Sequence, residues 1–61
     1  MTNPTSVQLQ RFYDQCYRLT NMFLQPIHLV RMDDRTGNLY ILAGTEESIE
    51  VEIDSQGDLV T

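Results

Sequence analysis

The first third of the chain has apolar residues at spacings of three and four, which is the period of an amphipathic helix. The apolar stripe consists of Leu9, Phe12, Cys16, Leu19 and Phe23. The opposite, polar face consists of Gln8, Arg11, Gln15 and Arg18. Asn3-Pro4 can open this helix, and a capping box of Thr5 with Gln8 can open it slightly later. Pro26 ends it, with Asn21 as an earlier left-handed stop, so we predict a helix over about residues 4–24.

After Pro26 the pattern changes to short runs of branched and aromatic residues that are separated by turn formers. Two such runs flank a polar turn at 34–37, and Gly37 supplies the left-handed conformation that such a turn needs. A third run, 49–53, alternates apolar and acidic residues as a half-buried strand does, and Leu59-Val60 can add a short edge strand. We therefore predict an α+β fold in a single domain, residues 1–61. It consists of one N-terminal helix packed on a three- to four-stranded antiparallel β-meander over about residues 27–60.

Strand register follows if Gly44 lies opposite Ser48 across the second turn. The pairs that result are Ala43 with Ile49, Ile41 with Val51, and Leu39 with Ile53. A four-residue first turn adds Val30 and Met32 to the same face, which should receive the apolar stripe of the helix. The predicted core therefore consists of Phe12, Cys16, Leu19, Phe23, Ile41, Val51 and Ile53.

The second face of the predicted sheet is also apolar, although a single helix covers only one face. It carries a candidate interface of Ile27, Leu29, Arg31, Tyr40 and Leu42, beside Glu50 and Glu52. Arg31, Tyr40 and Glu52 fall in one cross-strand row, where we expect Arg31 and Glu52 to form a charge pair. Uncovered apolar patches mark interfaces. We predict a homodimer through this face. The alternatives are a complex with another small protein, or a monomer in which a terminal tail folds over the face.

Composition narrows the functions that the chain can have. One cysteine excludes an internal disulfide, and one cysteine with one histidine argues against a structural zinc site. Nine acidic residues against four arginines give a net charge of −5, which argues against general nucleic-acid binding. Six acids and no base lie in residues 44–61, as a solvated face or a docking site for a basic partner. With neither a signal peptide nor a membrane-spanning run, we expect a cytoplasmic protein that binds no membrane.

Few residues are candidates for chemistry. Cys16 lies on the helix stripe, where an inert, buried thiol is expected, and His28 starts a strand, where a structural role is usual. A small ribonuclease could use His28, Arg31 and Tyr40. However, strand alternation places the His28 and Arg31 side chains on different faces of the sheet. The oxygen-rich turn 33–38 lacks the ligand spacing of a calcium loop. We therefore predict no catalytic, metal-binding or cofactor-binding residue.

A set of residues spread over roughly 9–60 carries a family resemblance. The set consists of Gln15-Cys16, Leu19, Asn21, residues 26–29, Arg31, Asp33 and residues 40–44. It resembles small hypothetical proteins found mainly in cyanobacteria and grouped as a domain of unknown function. The resemblance implies no activity and no site residues. It implies one alternative role, as a member of a two-gene, toxin–antitoxin-like module. In such a module, His28, Arg31 and Tyr40 would suit a small ribonuclease, and the acidic segment 44–61 would suit its regulator. Our main prediction remains a non-enzymatic protein–protein interaction module that self-associates or binds a small partner through the candidate interface.

Overall fold

Four antiparallel strands form one sheet in the computed structural model, which describes residues 3–60. Helix α1 spans Ser6–Tyr17 and continues into a π-helical turn at Arg18–Met22. The strands are β1 (Ile27–Met32), β2 (Leu39–Ala43), β3 (Ile49–Ile53) and β4 (Leu59–Val60). Their order in the sheet is the order in the chain, so every strand pairs with its sequence neighbour. The predicted α+β fold, with a helix followed by a meander, is confirmed.

The helix begins with the capping box, which was the later of the two predicted starts. The Thr5 hydroxyl accepts a hydrogen bond from the Gln8 backbone N–H at 3.1 Å. In return, the Gln8 side-chain oxygen accepts a hydrogen bond from the Thr5 backbone N–H at 2.8 Å. Both bonds satisfy backbone donors that the first helical turn leaves without a partner.

The helix ends in a wider turn than the sequence predicted. The Phe23 N–H donates to the Arg18 carbonyl, five residues earlier, at 2.9 Å. A π-helical turn holds more residues than an α-helical turn, so it rotates Phe23 out of the apolar stripe. Phe23 is 60% exposed, and its predicted place in the core was wrong. The left-handed residue is Leu24, at φ 55°, and not Asn21, which lies within the π-helical turn.

The core forms between the helix and the middle of the sheet. The predicted register between β2 and β3 is confirmed, because Ala43, Ile41 and Leu39 lie opposite Ile49, Val51 and Ile53. The buried apolar residues are Leu19, Leu39, Ile41, Ala43 and Ile53. Phe12, Cys16, Ile27, Met32, Ile49 and Val51 are partly buried against them. The predicted core is therefore confirmed, with Phe23 as its exception.

A register shift in β1 moves Ile27 to the helix side of the sheet. Ile27 lies opposite Ala43, whereas Leu29 lies opposite Leu42, so β1 has one extra residue at this point. An extra residue reverses the alternation of side chains beyond it. Ile27 consequently packs against the core, and its predicted place on the second face was wrong. The extra residue is His28, whose Nε2 lies 2.6 Å from the Gly44 carbonyl oxygen.

Gln8 lies at the centre of the fold instead of on the polar face of the helix. Its side chain is fully buried, whereas the neighbouring Leu9, which was predicted to be in the stripe, is 49% exposed. The Gln8 side-chain nitrogen donates to the Gly37 carbonyl at 2.8 Å and to the Ile53 carbonyl at 3.1 Å. Gln8 also stands four residues before Phe12, so a small rotation of the helix brings it inward. The carbonyls of the turn and strand end need donors, and the glutamine amide supplies them.

Two further hydrogen bonds join the start of the helix to the turn between β3 and β4. The Thr5 hydroxyl donates to the Ser55 carbonyl at 2.8 Å, and Arg11 Nε donates to the Gly57 carbonyl at 3.0 Å. Gly57 has φ 86°, and a Cβ atom there would lie 3.2 Å from Val7 Cγ1. The turn therefore needs glycine for its backbone conformation and for its close contact with the helix.

Candidate protein–protein interface

The side of the sheet that faces away from the helix, here called the outer face, has an ordered arrangement of apolar and charged side chains. It consists of Leu29 and Arg31 on β1, Tyr40 and Leu42 on β2, Glu50 and Glu52 on β3, and Val60 on β4. These residues form two rows across the strands. One row is Arg31, Tyr40, Glu52 and Val60, and the other is Leu29, Leu42 and Glu50. The only basic side chain of this face is therefore on β1, and both acidic side chains are on β3.

Arg31 contacts Tyr40 in this arrangement. The Arg31 guanidinium carbon lies 5.7 Å from the centre of the Tyr40 ring, which is the geometry of a cation–π contact. Glu52 accepts a hydrogen bond from the Asn38 side-chain nitrogen at 2.6 Å. The predicted cross-strand row is confirmed, but the contact that orients Arg31 is the tyrosine ring and not the Glu52 carboxylate.

A hydrogen bond between Tyr40 and Glu50 links the two rows. The Tyr40 hydroxyl donates to Glu50 Oε1 at 2.7 Å, and this bond is the main reason that the pKa of Tyr40 lies above its ordinary value. A smaller effect in the opposite direction comes from the positive charge of Arg31. The tyrosine ring is thus held between a cation on one side and a carboxylate on the other. Its position across the middle of the outer face is fixed by both.

The outer face is partly open to solvent. Leu29 is 43% exposed and Val60 is 40% exposed, whereas Tyr40 and Leu42 are half-buried between their neighbours. The helix of the described chain packs on the opposite side of the sheet, against the core residues. Four residues of the predicted interface, Leu29, Arg31, Tyr40 and Leu42, are thus brought together on the outer face. Ile27 is not among them.

A second exposed apolar surface, here called the helix-end surface, was not predicted from the sequence. It consists of Tyr13, Tyr17, Met22, Phe23 and Leu24, which are between 52% and 78% exposed. The Tyr13 and Tyr17 rings lie next to each other, with their centres 6.4 Å apart. The apolar run at 22–24, which ends two residues before Pro26, was the available signal, because residues at a helix end can leave the helical stripe.

The candidate chemical residues have structural partners. Burial raises the pKa of the Cys16 thiol, which disfavours the reactive thiolate. His28 lies against the Gly44 carbonyl, whereas Arg31 and Tyr40 contact each other. Asp33 closes the first turn, where the backbone N–H of Arg35 lowers the pKa of its carboxyl. Within residues 3–60 the histidine, cysteine and acidic side chains form no group of three that could hold a metal ion.

Comparison with known proteins gives one family. The model of a family described as Domain of unknown function (DUF6888) matches residues 3–60. No curated protein and no solved structure matches the chain. Within residues 3–60 the structure also contains no helix with the length and apolar character needed to traverse a bilayer.

Proposed function

The chain belongs to the family with this domain of unknown function, whose description assigns no activity, and we propose that it is a non-enzymatic protein–protein interaction module that binds its partner through the outer face. One observation carries this proposal. The outer face combines apolar side chains with charges that are already held in place, on a sheet whose only helix in the described chain lies on the other side.

Two properties of this surface favour protein binding over solvation alone. Tyr40 and Leu42 form its centre and Arg31 lies beside them, and tyrosine and arginine are enriched among the residues that dominate binding energies at interfaces. The Tyr40 ring and the Arg31 guanidinium are oriented by their contacts with each other and with Glu50. Side chains that are ordered before binding lose less conformational entropy when a partner arrives.

The small core gives a second reason. Only five apolar residues are buried within the described chain, and small domains with small cores usually obtain further stability from a disulfide, a metal or a partner. The single cysteine excludes an internal disulfide. A partner on the outer face would bury Leu29 and Leu42 and would add the apolar burial that the isolated chain lacks.

The test is a pair of substitutions on adjacent residues of β1. Leu29 and Val30 are exposed to nearly the same extent, 43% and 42%, but Val30 lies opposite Ile41 and therefore on the helix side. We expect Leu29→Glu, combined with Leu42→Glu, to remove both self-association and partner capture. The control, Val30→Glu, should leave both unchanged. Unchanged association and capture in the folded Leu29→Glu, Leu42→Glu variant would contradict the proposal.

The alternative role, as a ribonuclease or acidic regulator of a two-gene module, stays a prediction with its own test. Expression of an active ribonuclease should inhibit growth of the host cell, and His28→Ala or Arg31→Ala should remove the inhibition. An acidic regulator should bind its basic partner less tightly as salt increases. An interaction through the outer face should instead be lost in the Leu29→Glu, Leu42→Glu variant at every salt concentration.

A further inference from the structure

We propose that the partner of the outer face is a second copy of this chain, related to the first by a twofold axis parallel to β2, so that Arg31 of each copy faces Glu52 of the other. This inference rests on the proposed function and specifies its partner. It follows from the positions of the charges across the outer face, where the cation lies on β1 and both carboxylates lie on β3.

Geometry limits how two copies can stack through the same face. A closed dimer needs a twofold axis, and for face-to-face sheets this axis lies in the plane between them. If the axis is parallel to the strands, β1 of one copy lies over β3 of the other, and β2 lies over β2. If the axis is perpendicular to the strands, each strand lies over its own copy. Stacked sheets are separated by about 10 Å and cross at about 30°.

Charge selects between these two arrangements. With the axis perpendicular to the strands, Glu50 and Glu52 of one copy would face the glutamates of the other, which like-charge repulsion disfavours. With the axis parallel to β2, the row of Arg31, Tyr40 and Glu52 meets the same row reversed. Each Arg31 then faces a Glu52, and each Tyr40 faces its own copy. One contact pattern thus produces two equivalent ion pairs.

The apolar side chains of β2 agree with the same axis. Tyr40 and Leu42 both come next to the axis and meet their own copies at the centre of the interface. Leu29 and Glu50 lie on the flanking strands, where Leu29 of each copy faces Glu50 of the other at the rim, with the Glu50 carboxylate held by the Tyr40 hydroxyl. An apolar centre with charged residues around it is the usual arrangement of a protein–protein interface.

The experiment uses two single variants of opposite charge and their mixture. Arg31→Glu alone places two acids opposite each other at both ion pairs, and Glu52→Arg alone places two arginines there. Each variant should self-associate about tenfold or more weakly than the parent chain. In the mixture, every position 31 faces an opposite charge at position 52, so a heterodimer should form and should be visible by native mass spectrometry.

One variant serves as a control for the charge experiment, and three results would overturn the inference. Arg18→Glu reverses the charge of an exposed arginine at the end of the helix, on the opposite side of the sheet, and should leave the dimer unchanged. Equal mixing without preference for the heterodimer would overturn the twofold arrangement. A parent chain that stays monomeric up to high concentration would overturn the homodimer, while the Leu29→Glu, Leu42→Glu capture experiment would still decide the proposed function. If Phe23→Glu dissociates the dimer and the outer-face variants do not, self-association belongs to the helix-end surface. That result would overturn both the twofold arrangement and the outer face as the dimer interface.

A second measurement does not depend on how the charge variants fold. In a Cys16→Ser background, Leu42→Cys places one thiol beside the proposed axis, and Leu24→Cys places one on the helix-end surface. A short bismaleimide should covalently join two copies of the Leu42→Cys chain and should leave the Leu24→Cys chain without a cross-link. The reverse result would overturn the inference.

Discussion

The side-chain nitrogen of Gln8 donates a hydrogen bond to the carbonyl oxygen of Ile53, which joins the first turn of the helix to the end of β3 across 45 residues of sequence. Both residues are fully buried. Because the same nitrogen also donates to Gly37, one amide holds the helix against the first turn and against the third strand. The position of the helix on the sheet is therefore determined by polar groups as well as by apolar packing.

Gln8→Leu should destabilise the domain although it makes the side chain more apolar. The leucine leaves the buried Ile53 carbonyl without its donor, and it also removes the part-buried bonds to the Gly37 carbonyl and the Thr5 N–H. A buried group that loses its partner costs about 1–3 kcal/mol. We expect the free energy of unfolding, measured in urea, to fall by at least about 1–3 kcal/mol. The control is Gln10→Leu on the exposed face of the same helix, which should change it by less than about 0.5 kcal/mol. Equal effects of both variants would contradict the role of Gln8.

Truncation should destabilise the domain much more at Ile41 than at Phe23. Ile41 is fully buried, and Ile41→Ala should lower the free energy of unfolding by about 2–5 kcal/mol. Phe23 is 60% exposed, so Phe23→Ala should lower it by much less. Thermal melts of both variants at one protein concentration test this difference. A loss at Phe23 as large as that at Ile41 would mean that Phe23 packs in the core.

Leu24→Gly should stabilise the monomer. Leu24 has φ 55°, a conformation that costs an L-residue about 1–2 kcal/mol, and its side chain is 78% exposed. Glycine relieves this strain but also loses more entropy on folding, so we expect a net gain of up to about 1 kcal/mol. Met22→Gly, in the preceding turn, is the control and should destabilise by about 0.5–1 kcal/mol. Urea unfolding of the two variants gives both values. A lower free energy of unfolding in Leu24→Gly would contradict the inference that Leu24 is strained.

The Tyr40 hydroxyl should titrate at a lower pH when its carboxylate partner is neutralised. Because the Glu50 carboxylate is the main cause of the raised pKa, Glu50→Gln should move the pKa of Tyr40 back toward 10.0. An ultraviolet titration with Tyr13 and Tyr17 replaced by phenylalanine isolates this group.

The sign of the linked stability follows from the direction of this shift. A raised pKa means that the fold favours the neutral hydroxyl, so the contribution of Tyr40 is complete below the ordinary pKa of 10.0. It is lost as the pH rises through the raised value. Parent stability that does not fall faster than that of Glu50→Gln in this alkaline range would contradict the assignment.

Arg31→Ala should separate association from folding. Arg31 is exposed, and a cation–π contact at such a site contributes about 0.5–1 kcal/mol. We therefore expect the monomer to lose less than about 1 kcal/mol of stability in urea, while the dimer weakens in sedimentation experiments. Loss of folding at this variant would mean that Arg31 supports the core.

The parts of the fold that depend on alternation could be predicted from the sequence. Residues 49–53 alternate strictly between apolar and acidic, so one register buries every apolar residue, and β2 pairs with β3 in that register. The row of Arg31, Tyr40 and Glu52 followed from the same rule. The fold class followed from the change of period after Pro26.

The errors arose where one residue is inserted or where a polar residue has a buried partner. The extra residue at His28 reverses the face of Ile27, and no local signal distinguishes a strand with a bulge from one without. The π-helical turn moves Phe23 in a similar way. Gln8 was assigned to solvent because its carbonyl partners, Gly37 and Ile53, are distant in sequence. Each of these features depends on tertiary contacts that a periodic pattern does not contain.

The contrast between the local pairing of the strands and the long span of the Gln8 contacts has a kinetic consequence. Every strand pairs with its sequence neighbour, so the sheet can form through short loop closures, whereas the helix must close a loop of 45 residues to reach Ile53. We expect the sheet to be formed in the folding transition state and the Gln8 contacts to form after it. Loss of the Gln8 amide would then raise the unfolding rate and shorten the lifetime of the native state, while leaving the folding rate nearly unchanged.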